Sequence, residues 1–134
     1  MPGMTISALA RAGGVGVETV RYYQRRGLLP EPPRPAGGGL GGGVRRYGEE
    51  ELRRLRFIRS AQAAGFTLEE IGELLELQAT DGRPRAREMA RARIAALDAR
   101  IAELSTARAA LARLADECAE DARGPCPILT AFER

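Results

Sequence analysis

Between Ala86 and Ala115 the chain contains neither Gly nor Pro, so nothing interrupts a helix for about 30 residues. Its apolar positions recur at heptad spacing: Ile94, Leu97, Ile101, Leu104, then Leu111, Ala115 and Cys118, with Arg108 as the interruption. Alternating steps of three and four residues build a narrow seam that supercoils left-handedly against a like helix. A helix docked on its own globule shows a broader apolar stripe. At ~1.5 Å per residue, ~30 residues span ~45 Å, more than a domain of this size is wide. The pattern predicts a homodimer joined through Ile94, Leu97, Ile101, Leu104 and Leu111, the alternative being a long helix folded back on its own chain. This helix is expected to run from Pro84, a favoured first-turn residue, to Cys118.

The 134 residues suffice for one small domain and an extension, not for two independent cores. No apolar run approaches the ~20 residues needed to cross a bilayer, so no membrane partner is expected. Met1 to Ile6 lacks a basic start followed by an apolar block, and a cytoplasmic protein is expected. The net charge of +3 conceals a division: residues 1–65 carry 11 Arg against 5 Glu, and residues 66–134 carry 10 Arg against 13 acids. A basic front half points to a polyanionic partner. There is no His, which removes the commonest general base, and no nucleophile has a base beside it. An enzyme is therefore not expected. The two cysteines, Cys118 and Cys126, stand eight residues apart, spacing that in a reducing compartment fits metal binding or redox sensing better than a permanent disulfide.

Thr5 can cap a helix from Ile6 to Ala12, which Gly13-Gly14 ends. A second helix fits Val17 to Arg26, with Gly27 as its left-handed terminator and Pro30 just beyond. Two short helices joined by a tight Gly turn read as a helix-turn-helix whose second member enters the major groove. Ile6, Leu9, Val15 and Val20 would form a small core, leaving Glu18, Thr19, Arg21, Tyr22 and Arg25 outside. Residues 30–43 read PEPPRPAGGGLGGG and cannot hold a helix. With the extended run Val44 to Tyr47 they resemble a hairpin wing whose Arg45 and Arg46 reach phosphates, or else a flexible linker before a charged helix. Glu49 to Ala64 presents Leu52, Leu55, Ile58 and Ala61 on one face. Thr67-Leu68-Glu69-Glu70 is a capping box opening a helix through Leu77, and Ala79 to Arg83 is a polar break.

The stretches Val17-Glu18-Thr19-Val20-Arg21-Tyr22-Tyr23 and Arg26-Gly27-Leu28-Leu29-Pro30 resemble the signature of the MerR family of transcription regulators. So do Arg45-Arg46-Tyr47, Leu55-Arg56-Phe57-Ile58 and Gly65-Phe66-Thr67-Leu68-Glu69-Glu70-Ile71. The resemblance implies a mainly α fold: a winged helix-turn-helix with a connecting helix pair over residues 1–77, a hinge and antiparallel coiled-coil dimer helix over 78–117, and a metal-sensing loop with a short terminal helix over 118–134. It implies operator DNA and RNA polymerase as partners, with repression in the absence of signal. On binding the signal, the regulator distorts an over-long promoter spacer, so that deformation energy rather than base contact works the switch. By position, Thr19, Arg21, Tyr22 and Tyr23 would contact DNA from the second helix, and Arg45, Arg46 and Tyr47 from the wing. The loop Pro35 to Gly43 is longer and richer in Gly than the family's short turn.

Drug-responsive members carry a large domain after the coiled coil, whereas 16 residues follow Cys118 here. The loop from Cys118 to Cys126-Pro127-Ile128 resembles that of the metal-responsive branch, especially its copper-efflux regulators. Two thiolates without His or carboxylate partners suit Cu(I), with Ag(I), Au(I) or Hg(II) as further candidates, and suit Zn(II) poorly. A mercury(II) or thiol-redox response on the same fold, or a sensorless architectural DNA binder, are the alternatives. In metal-responsive relatives a residue at the start of the dimer helix reaches the partner's metal loop, and counting back from Cys118 puts Arg83 there. Arg83 would balance the negative charge of a bis-thiolate Cu(I) unit, or else point into solvent if the break shifts the register.

Overall fold

The computed structural model describes residues 3–35 and 43–133 of the chain. It contains six helices among these residues: α1 (Ile6–Gly13), α2 (Val17–Arg25), α3 (Glu49–Ala63), α4 (Leu68–Ala79), α5 (Arg83–Glu120) and α6 (Pro127–Phe132). The chain divides into two compact units, residues 1–88 and 89–134.

In the first unit the predicted caps form. Thr5 Oγ1 accepts the Ala8 N–H at 3.1 Å, and Gly14 closes α1 in the left-handed region at φ 74°. The Thr67–Glu70 box is reciprocal: the Thr67 N–H donates to the Glu70 carboxylate at 2.8 Å, and the Glu70 N–H to Thr67 Oγ1 at 3.1 Å. Gly27, at φ 75°, turns the chain out of α2 so that Leu28 and Leu29 drop into the core. Arg54 of α3 donates to the Leu28 carbonyl at 2.6 Å and fastens that turn.

The core is larger than the four residues read from the first two helices. Leu9 and Val20 are fully buried, and Ile6 and Val15 pack against them half-buried. Leu29, Leu55, Ile58 and Ile71 complete it, because α1 packs on α2 and α3, and α3 on α4. Helix α1 lies so close to α3 that a Cβ on Gly13 would stand 2.3 Å from Leu55 Cδ2.

Among the described residues there is no strand. Among the described residues the expected hairpin arms share one backbone bond, from the Gly43 N–H to the Pro35 carbonyl at 3.2 Å, and residues 36–42 of the Gly-rich loop lie outside the described residues. Tyr47 pairs instead with Met4, antiparallel, through N–H to carbonyl bonds of 2.7 and 2.8 Å. The arm that carries Arg45 and Arg46 is thus held by the chain's first residues.

The break before α5 is shorter than predicted, Thr80 to Gly82, and α5 starts at Arg83 rather than Pro84. Its first turn belongs to the first unit because Arg85 forks onto both Glu73 oxygens of α4. That hydrogen bond, followed by the charge of the guanidinium, lowers the Glu73 carboxyl pKa and raises that of Arg85. In the second unit α5 continues without a break, two residues past the predicted end at Cys118, and α6 follows a turn at Gly124 (φ 83°).

Candidate nucleic-acid interface and cysteine site

Helix α2 offers two kinds of side chain, sorted by its period. Arg21 and Arg25 are exposed, and Thr19 and Tyr22 are half-buried. Arg21 is ion-paired with Glu18 at 3.1 Å, a surface pair that little energy holds in place. Arg25 and Arg26 lie over the Tyr22 ring, 5.9 and 5.8 Å from its centre, and Arg26 also donates to the Tyr22 hydroxyl at 3.0 Å. Three guanidinium groups are therefore gathered around one exposed edge of α2.

Tyr23 and Tyr47 do not stand where the resemblance placed them. Tyr23 is 3% exposed and its hydroxyl donates to Gln62 Oε1 of α3. It lies three residues after the buried Val20, on the inward face of α2. Tyr47 is 2% exposed, because pairing with Met4 turns its ring inward, and its hydroxyl accepts from Gln24 Nε2 at 3.0 Å. Both rings belong to the core. Gln24 and Gln62 were not legible as partners, since nothing in a local pattern marks a Gln that answers a hydroxyl far away in the chain.

Arg45 is half-buried, donating to the Pro32 carbonyl at 2.9 Å and pairing with Glu31 at 3.1 Å, while Arg46 is exposed and reaches the Gly3 carbonyl at 3.4 Å. A cleft of about 440 Å³ joins the two elements, lined by Thr5 and Ser7 from the start of α1, Arg21 and Gln24 from α2, and Glu31, Arg34 and Arg45 from the arms. Arg34 is an addition to the predicted set. Positive charge and short polar side chains on one face suit phosphate oxygens.

In the second unit, Cys118 lies in the last turn of α5 and Cys126 caps α6, whose first residue is Pro127. The sulfurs are 3.7 Å apart and both thiols are free. The Cys126 pKa is lowered, chiefly by the N–H groups of Leu129 and Ile128 at the start of α6. The Cys118 pKa is raised, because it shares its hydrogen bond with Cys126. Such a pair fits a thiophilic metal ion: one sulfur is acidified by the N–H groups at the start of α6 and the second lies beside it. With metal–sulfur bonds of ~2.3 Å, a 3.7 Å separation corresponds to a bent angle of about 107° at the ion. A linear two-coordinate ion needs sulfurs ~4.6 Å apart, so the loop would open by about 0.9 Å. Among the described residues no cluster of three or more His, Cys, Asp or Glu side chains gathers as a ligand set.

Arg83, the first residue of α5, is exposed, and among the described residues it makes no ion pair. On α5 the predicted seam residues Ile94, Leu97, Ile101, Leu104 and Leu111 are all exposed within the single chain. No helix among the described residues is long and apolar enough to cross a membrane.

Comparison with known proteins locates two family patterns, "MerR HTH family regulatory protein" at residues 4–78 and "MerR, DNA binding" at residues 52–114. The mercuric resistance operon regulatory protein of Serratia marcescens is 37% identical, over 99% of this chain and 90% of its own. The crystal structure of the transcription regulator PbrR691 from Ralstonia metallidurans CH34 in complex with lead(II) superposes with a TM-score of 0.71. It is 35% identical and covers 96% of this chain and 98% of its own. That of the regulator MerR from Bacillus megaterium MB1 in complex with mercury(II) gives 0.66 at 30% identity, covering 98% of this chain and all of its own.

Proposed function

This chain belongs to the MerR family of transcription regulators, and from that premise we propose that it binds operator DNA as a homodimer and switches transcription when Cys118 and Cys126 bind a soft metal ion. The observation that carries the sensing half is the pair of free thiols 3.7 Å apart, one of them acidified at the start of α6. The DNA half rests on the guanidinium groups of α2 and of the arm bearing Arg45 and Arg46. In this reading Arg21 leaves Glu18 to meet a base edge in the major groove, and Arg45 and Arg46 bind phosphates on either side. Without metal the dimer represses. With metal it distorts the promoter spacer so that RNA polymerase engages both elements.

A bound ion would supply two metal–sulfur bonds that tie the end of α5 to the start of α6. The chain's own thiols favour Cu(I), Ag(I) or Au(I), because Cys118 and Cys126 are its only cysteines and two sulfurs satisfy a monovalent soft ion. Across the dimer, Arg83 of one protomer would then offset the negative bis-thiolate charge at the partner's cysteine pair. Mercury(II) is the second reading, favoured by the relatives named for mercury and by the bent sulfur geometry, which suits an ion taking a further ligand. Transcription from the chain's own operator across a panel of Cu(I), Ag(I), Au(I), Hg(II), Pb(II) and Zn(II) salts separates them. Induction by the monovalent ions alone supports the first, and by Hg(II) alone the second. A response that survives Cys118→Ala moves metal sensing away from the cysteine pair, and a promoter that answers none of these ions leaves an architectural DNA binder.

A further inference from the structure

Five large apolar side chains of α5, Ile94, Leu97, Ile101, Leu104 and Leu111, are between 39% and 59% exposed, and Arg108 stands in the same stripe. An arginine in such a seam needs a carboxylate from whatever covers it, or its charge is buried alone. Arg108 makes no ion pair within the chain among the described residues, and neither does Asp98, also exposed on α5. We propose that Arg108 of one protomer pairs with the partner's Asp98, twice about the two-fold axis, and that these two pairs set the register of an antiparallel dimer. The proposal rests on the homodimer described above and adds the alignment of its helices.

Three neighbouring heptad registers compete, and their charges differ. Antiparallel pairing with the axis between residues 102 and 103 sets Ile101 against the partner's Leu104 and Ile94 against the partner's Leu111. Leu97 then faces the partner's Arg108. The residue after Leu97 is Asp98, on the edge of the seam toward which that arginine leans, so both charges lie within about one residue of the same level. A slip of one heptad in one direction sets Ile94 against the partner's Leu104 and keeps as many large apolar contacts. It also brings Arg108 opposite the partner's Ala90, whose following residue is Arg91, a like charge. The opposite slip sets Arg108 against the partner's Leu104, followed by Ser105; the preceding Glu103 lies on the side from which the arginine leans away and is already paired with Arg100. Hydrophobic matching alone leaves the first two registers nearly equal. The charges decide between them, as a polar residue in a coiled-coil seam does when it selects register at some cost in stability.

The test uses the full chain in two variants, Arg108→Asp and Asp98→Arg. Each homodimer would set like charges together twice, so each dissociates about tenfold more readily than wild type or worse. In a mixture of the two, both cross-pairs of the heterodimer become attractive, and native mass spectrometry should find heterodimer well above the half that random pairing produces. A chain carrying both substitutions should regain the wild-type dissociation constant, which shows that the weakened variants were folded. Random mixing, or single variants that dimerise as tightly as wild type, would overturn the register. A wild-type chain that sediments as a monomer at every concentration would overturn the homodimer itself.

Discussion

Tyr22 and Tyr23 are neighbours in sequence and opposites in use, because a step of one residue on a helix turns the side chain by about 100°. Tyr22 keeps an exposed edge under two arginines, whereas Tyr23 closes the core and donates to Gln62. Tyr23→Phe should therefore cost about 1 kcal/mol of stability in denaturant titration and leave the salt dependence of DNA binding unchanged. A variant with wild-type stability and a flatter salt slope would return Tyr23 to the phosphates. The arginines divide differently. Arg46→Ala should weaken binding on every sequence and lower the salt slope by about one, and Arg21→Ala should cost about 1–3 kcal/mol mainly on the cognate operator. Filter binding to cognate and random DNA at several salt concentrations reads both. At the sensor, Cys126→Ser should abolish the metal response while operator binding persists, since the sulfur lies in the second unit and the basic face in the first.

Among the elements, the join of α4 to α5 has a pH dependence of known sign. The Glu73 carboxyl pKa is lowered in the folded chain by Arg85, so its contribution is fully present above the unfolded carboxylate value. That contribution is lost as pH falls through the lowered folded value. Hydrogen exchange in the first turn of α5 should accelerate on acidification through this window, and Glu73→Gln should be fast at neutral pH and lose most of the change. A wild-type turn equally protected at both pH values would mean that packing, such as the close approach of Gly82 to Leu77, holds it without the ion pair.

For the whole molecule, the exposed seam on α5 implies that the single chain is incomplete. Ile101→Asp would bury a charge without a partner at the centre of the interface and should yield monomers in sedimentation equilibrium. An intact dimer would place the contact elsewhere. Arg108→Leu tests the other side of the same argument. It should tighten the dimer, because the cost of the seam charge is gone, and loosen its register.

Local signals were sufficient wherever the cause was local. Thr5, Thr67 with Glu70, Gly14 and Gly27 each satisfy or terminate a helix within a few residues of themselves, and the gap-free heptads of α5 need only their own period. The cysteine pair was also legible, since an eight-residue separation with Pro127 after Cys126 sets the two residues at the two ends of one short loop between helices. What the sequence could not determine depends on partners distant in the chain. Tyr47 joins Met4 rather than a neighbouring strand, Tyr23 finds Gln62, and Arg85 finds Glu73. Each of these is chosen by which elements pack together, and a one-dimensional pattern records the propensity of an element but not the surface it will meet. For that reason Tyr23 and Tyr47 looked like DNA contacts in the sequence and are core residues in the fold.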